Sequence, residues 1–162
     1  MFSDRILELA AALRVEYGAA GRMIATAVSC TGGLIDGAIT EIAGSSAVFD
    51  RGFVTYTNEA KEAMLGVPKA LLDSVGAVSA EVAEAMAKGA LAASGADVAV
   101  AVTGIAGPGG ATATKPVGRV YIGVAVRDGT AEAREHTFAG DRHAVRMQTV
   151  EGALERLRDA LT

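Results

Sequence analysis

The chain has 162 residues, of which 51% are hydrophobic and 21% are charged, as expected for one globular domain with a sizeable apolar core. The formal net charge is −4, and neither a basic stripe nor an aromatic stacking ladder is present, which excludes the usual patterns of nucleic-acid binding. We therefore predict a single domain spanning residues 1–162 that has no nucleic-acid partner.

The first predicted element is an amphipathic helix over residues 4–17. Its apolar side chains recur at helical spacing at Ile6, Leu9, Ala10 and Leu13. This pattern is not that of a targeting segment, and no apolar run in the sequence is long enough to span a bilayer. The single cysteine, Cys30, excludes an intramolecular disulfide. We therefore predict a cytoplasmic protein without membrane contacts.

Strands and short helices alternate through the next part of the chain. We predict a strand over residues 22–28, a helix over 31–40, a strand over 47–56, and short helices over 58–65 and 69–75. Asn58 is the predicted N-cap of the first short helix, which Gly66 and Pro68 end.

The second half of the chain continues the alternation. Ser79 is the predicted cap of a helix that extends to about residue 94, and the apolar run over 96–103 is typical of a buried central strand. Residues 117–126 and 130–138 predict a hairpin around Asp128-Gly129, and Asp141 caps a last helix. These elements predict an α/β fold, a three-layer α/β/α sandwich with a mixed, mostly parallel sheet.

Ser29 begins the segment SCTGG, which lies between the first predicted strand and a helix. Ligands of α/β proteins bind at such junctions, where helical N–H groups can stabilise an oxyanion. The segment therefore suggests a serine nucleophile, although a plain helix cap with a tight glycine turn fits it equally well. Cys30 is a weaker candidate nucleophile, because cysteines are most often buried packing residues.

A serine nucleophile needs a base. His136 and His143 are the only histidines, and neither has a convincing partner nearby in the sequence. Lys61 is the better candidate, because a desolvated lysine can lose its proton near neutral pH, and Tyr56 could relay or orient that proton. A lysine in the first turn of a helix is otherwise usually a solvated charge.

Two further segments suggest ligand contacts. Thr103 and Gly104 open a Gly-rich loop that would let a ligand approach the backbone, but the loop matches neither nucleotide-binding fingerprint. Arg142 and Arg146 share a face at the start of the last helix, where the helix dipole disfavours cations and a bound anion would remove the conflict. A flexible loop and a solvated arginine pair balanced by Asp141 are the ordinary alternatives.

Several segments together resemble the CinA C-terminal domain family over about residues 25–146. They are SCTGG, GSSAVFDRGFVTYTNEAK, MLGVP, GAVSAEVAEAMAKGAL, DVAVAVTGIAGPGG, KPVG and GDRHAVR, which occur in the family's order. The resemblance implies the same three-layer fold and the hydrolysis of the amide of nicotinamide mononucleotide. It also implies a Ser/Lys mechanism with no metal and no other cofactor.

Carried over to this sequence, the resemblance implies that Ser29 is the nucleophile, Lys61 its base and Tyr56 an assisting residue. It implies substrate contacts from Thr31, Gly32, Gly33, Ser45, Thr103, Gly104 and Arg142. Among these, Arg142 would meet the substrate phosphate.

One departure from the family pattern bears on activity. The family usually has Glu before the catalytic serine, where this chain has Val28. A carboxylate there could orient Lys61 or bind the substrate, so its loss leaves open a nucleotide-binding or regulatory module with weak or no catalysis.

The small, Ala-rich helices also predict a homodimer.

Overall fold

The computed structural model describes residues 1–162, in which helices cover both faces of one five-stranded sheet. The strands are β1 (Ile24–Val28), β2 (Phe49–Val54), β3 (Val98–Gly104), β4 (Arg119–Val126) and β5 (Ala131–Thr137). The helices are α1 (Asp4–Ala20), α2 (Leu34–Thr40), α3 (Asn58–Leu65), α4 (Lys69–Val75), α5 (Ala80–Ala92) and α6 (Arg142–Asp159). No helix is both long and apolar enough to cross a membrane.

The strand order in the sheet is β2-β1-β3-β4-β5. Strand β1 is parallel to both of its neighbours, whereas β4 is antiparallel to β3 and to β5. Four strands therefore run in one direction and β4 alone runs in the other. This confirms the predicted α/β sandwich and its mixed, mostly parallel sheet. At the predicted hairpin turn, Asp128 adopts a positive φ of 60°.

The alternation of side chains along β1 divides the core into two parts. Ile24 and Val28 belong to the larger apolar cluster, which packs under α1, α2 and α6. Ala25 and Ala27 belong to the smaller cluster, which packs under α3, α4 and α5. Successive residues of the strand therefore face opposite helical layers.

Small residues let the helices of the second layer approach closely. A Cβ atom added at Gly89 of α5 would collide with the carbonyl oxygen of Leu65, the last residue of α3. A Cβ atom at Gly123 of β4 would lie 2.8 Å from the carbonyl oxygen of Ala83. The glycine at position 89 thus fixes the distance between α5 and α3.

The predicted elements are all present, with shifts at their ends. Helix α1 extends to Ala20 rather than residue 17, and α2 begins at Leu34 because residues 29–33 form a turn. The predicted cap at Asn58 is wrong: Thr57 is the N-cap of α3, and its side chain accepts a hydrogen bond from Ala60 N. The predicted caps at Ser79 and Asp141 are confirmed.

We expect Gly89→Ala to lower the free energy of unfolding by about 1–3 kcal/mol, because the added methyl group overpacks the contact between α5 and α3. The intrinsic helix propensity of alanine acts in the opposite direction, by about 1 kcal/mol. Urea denaturation measures the difference.

Gly95→Ala is the matched control, because a Cβ atom there has no neighbour within 4 Å. Its free energy of unfolding should change by no more than about 0.5 kcal/mol. Equal stability of the two variants would contradict the close contact at Gly89.

Candidate active site

The carboxyl ends of the parallel strands meet at one edge of the sheet, and Ser29 lies there immediately after β1. Its backbone N–H donates to Val102 O of β3 at 3.1 Å, and its side chain is 9% exposed. β1 lies between β2 and β3, and the chain leaves it through α2 towards β2. Crevices in α/β sheets open at such points, where neighbouring connections diverge.

Lys61 lies on α3 and reaches Ser29 from the helical layer that α3, α4 and α5 form. Its Nζ atom lies 3.1 Å from Ser29 Oγ and 2.8 Å from the carbonyl oxygen of Thr55. Only 1% of the lysine is exposed, so the sequence-based alternative of a solvated charge is wrong. The structure therefore joins a serine hydroxyl and a buried lysine directly.

The carbonyl of Thr55 is a part of this site that sequence reasoning missed. Thr55 follows β2, and its N–H donates to Val28 O of β1 at 2.8 Å, which fixes the peptide beside Ser29. The carbonyl then accepts from Lys61 and orients the Nζ atom. No motif could have revealed this role, because any residue supplies a backbone carbonyl.

The surroundings of Lys61 favour its neutral form. Burial lowers the pKa of the Lys61 ammonium below its ordinary value, an effect that the nearby Cys30 thiol partly offsets. Both hydrogen-bond acceptors of Nζ are uncharged, and no carboxylate pairs with it. A lysine in such a place can accept a proton from a neighbouring hydroxyl.

A cavity of about 260 Å³ opens over Ser29 and Lys61. Its walls are formed by Ser29, Cys30, Tyr56, Asn58, Lys61, Ala77, Val78, Thr103, Gly104, Ile105, Ala106, Gly107, Gly109, Gly110 and Arg142. The wall contains a lysine and an arginine but no Asp or Glu. A chain with a net charge of −4 thus presents only basic charged side chains to a ligand here.

Tyr56 and Arg142 lie together at the mouth of this cavity. Tyr56 is 58% exposed, and its hydroxyl accepts a hydrogen bond from Arg142 Nη2 at 3.1 Å. Arg142 Nη1 donates to Gly107 O at 2.8 Å. The tyrosine hydroxyl makes no hydrogen bond to Ser29 or Lys61, so the structure does not bring it to the place that a proton relay requires.

Arg146 supports the turn that follows Ser29. Its guanidinium donates to the carbonyl oxygens of Cys30 and Thr31, each at 3.1 Å. The backbone N–H groups of these two residues make no hydrogen bond to another residue. The turn therefore offers free amide donors next to the serine, while Arg146 is occupied by carbonyls and does not line the cavity.

Cys30 is a poor nucleophile in this environment. Its side chain is buried, and burial raises the pKa of the thiol to about 11, although Arg146 and Lys61 act in the opposite direction. The reactive species is the thiolate, which such a pKa suppresses at neutral pH. The structure thus favours Ser29 over Cys30.

Four residues for which the resemblance implies substrate contacts do not line this cavity, and those contacts stay predictions. Thr31 is fully buried, and Gly32 and Gly33 adopt φ values of 60° and 102° in the turn that leads into α2. Ser45 lies before β2, whose first residue, Phe49, pairs with the first residue of β1. Ser45 is therefore at the opposite edge of the sheet from Ser29.

Thr103 and Gly104 do line the cavity, at the end of β3. The hydroxyl of Thr103 donates to Ala77 O at 2.9 Å, which ties the strand to the segment before α5. A Cβ atom at Gly104 would lie 2.6 Å from Val120, so close strand packing already requires glycine there. Thr103 therefore shapes the cavity wall rather than presenting a free hydroxyl.

The histidines lie outside the cavity. His143 is exposed on α6, whereas His136 is half-buried on β5 and its ring stacks on Phe138 at 5.0 Å. No three His, Cys, Asp or Glu side chains come together in the structure as a metal site would require.

The sequence profile described as the CinA C-terminal domain matches residues 7–161. The chain belongs to the CinA C-terminal domain family. It is 52% identical over 155 residues to a nicotinamide-nucleotide amidohydrolase, PncC, of Enterobacter agglomerans, a match that covers 96% of this chain and 94% of that protein.

Other relatives are longer proteins. A CinA-like protein of Geobacter sulfurreducens is 56% identical over 141 residues, which cover 87% of this chain. The chain spans about a third of that protein's length, since the match covers 34% of it.

Solved structures agree with the assignment to this family. The crystal structure of competence/damage inducible protein CihA from Agrobacterium tumefaciens superposes with a TM-score of 0.96 at 53% identity, covering 99% of this chain and 98% of that one. A CinA superfamily protein from Escherichia coli gives a TM-score of 0.92 at 34% identity, covering 99% and 94%.

Val28, the residue before Ser29, lies on the opposite side of the sheet from Lys61. Its side chain is fully buried in the cluster under α1, α2 and α6, whereas Lys61 belongs to α3 in the other layer. A carboxylate at position 28 would therefore not orient Lys61 directly. The Ser29–Lys61 contact forms with valine in this place.

We expect the stability of the wild type relative to Lys61→Met to rise with pH. Because burial lowers the Lys61 pKa in the folded state, the unfolded state binds the additional proton between that lowered value and about 10.5. Wild-type stability therefore increases with pH through this window, while the methionine has no charge to titrate.

Urea denaturation of both proteins between about pH 7 and pH 10.5 measures this difference. Titration of groups that do not interact with Lys61 cancels in the comparison, and Cys30→Ala in both proteins removes the nearby thiol. A difference that is independent of pH would contradict the desolvated environment of Lys61.

Proposed function

We propose that this protein hydrolyses the carboxamide of nicotinamide mononucleotide to nicotinic acid mononucleotide and ammonia. The observation that carries the proposal is the contact of 3.1 Å between Lys61 Nζ and Ser29 Oγ inside a cavity without carboxylates. The PncC relative, 52% identical over nearly the whole chain, supports this choice of amide.

The charges around the cavity suit a phosphorylated substrate. Arg142 lies at the cavity mouth, and a guanidinium binds phosphate oxygens well. With the phosphate at Arg142, the rest of a mononucleotide extends inwards and its carboxamide approaches Ser29. The absence of Asp and Glu from the wall removes the repulsion that an anion would otherwise meet.

The first half of the reaction forms an acyl-enzyme. Neutral Lys61 takes the hydroxyl proton of Ser29 as Oγ attacks the carboxamide carbon, so that a C–O bond forms and the carbonyl becomes an oxyanion. The Thr55 carbonyl accepts one N–H of the amine, and rotation about the Cε–Nζ bond lets the neutral amine turn its lone pair towards the serine. The Lys61 ammonium then protonates the leaving nitrogen, the C–N bond breaks and ammonia departs.

The second half restores the enzyme. Lys61, neutral again, takes a proton from water as the water oxygen attacks the ester carbon. The new tetrahedral intermediate expels Ser29 Oγ, which receives its proton back from Lys61. The products are a carboxylic acid and an unchanged enzyme, so no oxidant, reductant or metal enters the balance.

The oxyanion requires hydrogen-bond donors close to Ser29. We assign this role to the N–H group of Cys30, which lines the cavity, makes no hydrogen bond to another residue and follows the nucleophile directly. Arg146 holds the two carbonyls of the same turn and so fixes the direction of its peptides. Donors that are already in place stabilise the developing charge without reorganisation.

The alternative of a regulatory module without catalysis rested on Val28. The position of Val28 on the far side of the sheet from Lys61 argues against one of the two roles expected of a carboxylate there, the orientation of Lys61. We favour the enzyme because Ser29 and Lys61 are in contact. A single domain over residues 1–162, a homodimer and a cytoplasmic location stay predictions. The Ala-rich helices support the homodimer, and the single cysteine supports the cytoplasmic location.

Ser29→Ala and Cys30→Ala form a matched pair that tests the proposed nucleophile. Ser29→Ala should lose at least about 1,000-fold in kcat, because no other group replaces the nucleophile. Cys30→Ala should stay within about threefold of wild type, since its thiol takes no part in the reaction. Ammonia release from nicotinamide mononucleotide in chelator-treated buffer measures both rates.

A folded wild type that releases no ammonia would overturn the proposed function. Loss of activity in Cys30→Ala, with Ser29→Ala active, would transfer the nucleophile to the cysteine. Circular dichroism of both variants provides the control for folding.

A further inference from the structure

Tyr56 stands at the mouth of the cavity rather than beside the reacting groups. The residue is 58% exposed, and its hydroxyl accepts a hydrogen bond from Arg142. Ser29 and Lys61 are both buried, and they contact each other without it. A group that shuttles a proton between them would need to touch at least one of them.

Arg142 is held from two sides. Tyr56 accepts from Nη2 at 3.1 Å, and the carbonyl of Gly107 in the Gly-rich loop accepts from Nη1 at 2.8 Å. A guanidinium has five N–H donors, so these bonds leave others free for an anion. The contacts also join the segment after β2, the loop after β3 and the start of α6 around the cavity.

We propose that Tyr56 is a positioning residue for Arg142: its hydroxyl holds the guanidinium where the phosphate of the substrate binds, and it transfers no proton. This inference rests on the proposed function, because it names the residue that sets phosphate affinity at the same site. It assigns Tyr56 to ground-state binding and leaves the proton transfers to Lys61 alone.

The physical basis is preorganisation. A long arginine side chain at the surface occupies many rotamers, and fixing it on binding costs conformational entropy. The Tyr56 hydroxyl restricts the guanidinium before the substrate arrives, through a hydrogen bond to a charged group. Removing that hydroxyl therefore weakens phosphate binding without touching the bond that breaks.

The test compares Tyr56→Phe, Arg142→Ala and the double variant on two substrates, nicotinamide mononucleotide and the phosphate-free nicotinamide riboside. For the mononucleotide, Tyr56→Phe should raise KM about tenfold and leave kcat nearly unchanged, the lower end of the loss expected for a hydrogen bond to a charged group. For the riboside, Tyr56→Phe should leave kcat/KM at the wild-type value. In the Arg142→Ala background, adding Tyr56→Phe should have no further effect on KM.

Tyr121→Phe is the matched control. It removes a hydroxyl that hydrogen-bonds Glu135 at 2.8 Å, outside the cavity, and both kinetic constants should stay at wild-type values. Tyr56→Phe should also leave the pH dependence of kcat unchanged.

A fall in kcat on both substrates that persists in the Arg142→Ala background would overturn the inference and identify Tyr56 as a proton-transfer group. If Tyr56→Phe lowered kcat/KM by the same factor for both substrates, the inference would be overturned as well. Wild type that is inactive on the mononucleotide would instead overturn the proposed function, and with it this inference. The two failures are therefore distinguishable in the same assay.

Discussion

The buried amine of Lys61 is the constraint on which the rest of the site depends. It lies in contact with Ser29 Oγ and the Thr55 carbonyl and has no carboxylate partner, so the fold holds a cationic group where its charged form is disfavoured. Three elements must be placed correctly for this: β1 brings Ser29, β2 brings Thr55 and α3 brings Lys61. The site therefore depends on two features of the fold, the parallel pairing of β1 with β2 and the close packing of α3 on α5 at Gly89.

The charge distribution separates two tasks along the cavity. At its base, a lysine whose pKa is lowered by burial meets an uncharged hydroxyl, which suits proton transfer. At its mouth, Arg142 offers a permanent positive charge, which suits a phosphate. Arg146 performs a third task, because it holds the turn after Ser29 by its carbonyls and leaves the amides free.

Periodicity and capping were sufficient to predict the fold. The run over residues 96–103 did become the buried central strand β3, and Ser79 and Asp141 did cap their helices. Asn58 and Thr57 can both cap a helix, and only the backbone conformation at the turn decides between them. Helix α2 begins later than predicted because residues 29–33 form a turn, which periodicity does not show.

The site was predictable only where a side chain has a distinctive chemistry. Ser29 and Lys61 were candidates from residue type and position, whereas their contact depends on the pairing of distant segments. Ser45 was a candidate only through the family resemblance, and it lies before the end of β2 that pairs with the start of β1, away from Ser29. The carbonyls of Thr55 and Gly107 carry no signal in the sequence, since every residue has one.

Trapping the covalent intermediate is the most direct measurement of the central claim that Ser29, activated by Lys61, attacks the amide. The protein is mixed with nicotinamide mononucleotide, quenched in acid within the first turnover, digested and analysed by mass spectrometry. The account predicts that the peptide containing Ser29 gains the mass of the substrate acyl group as an ester on the serine oxygen, and that Lys61→Met fails to accumulate it. The account would be contradicted by an acyl group on Cys30. It would also be contradicted if Ser29→Ala turned over the substrate at the wild-type rate.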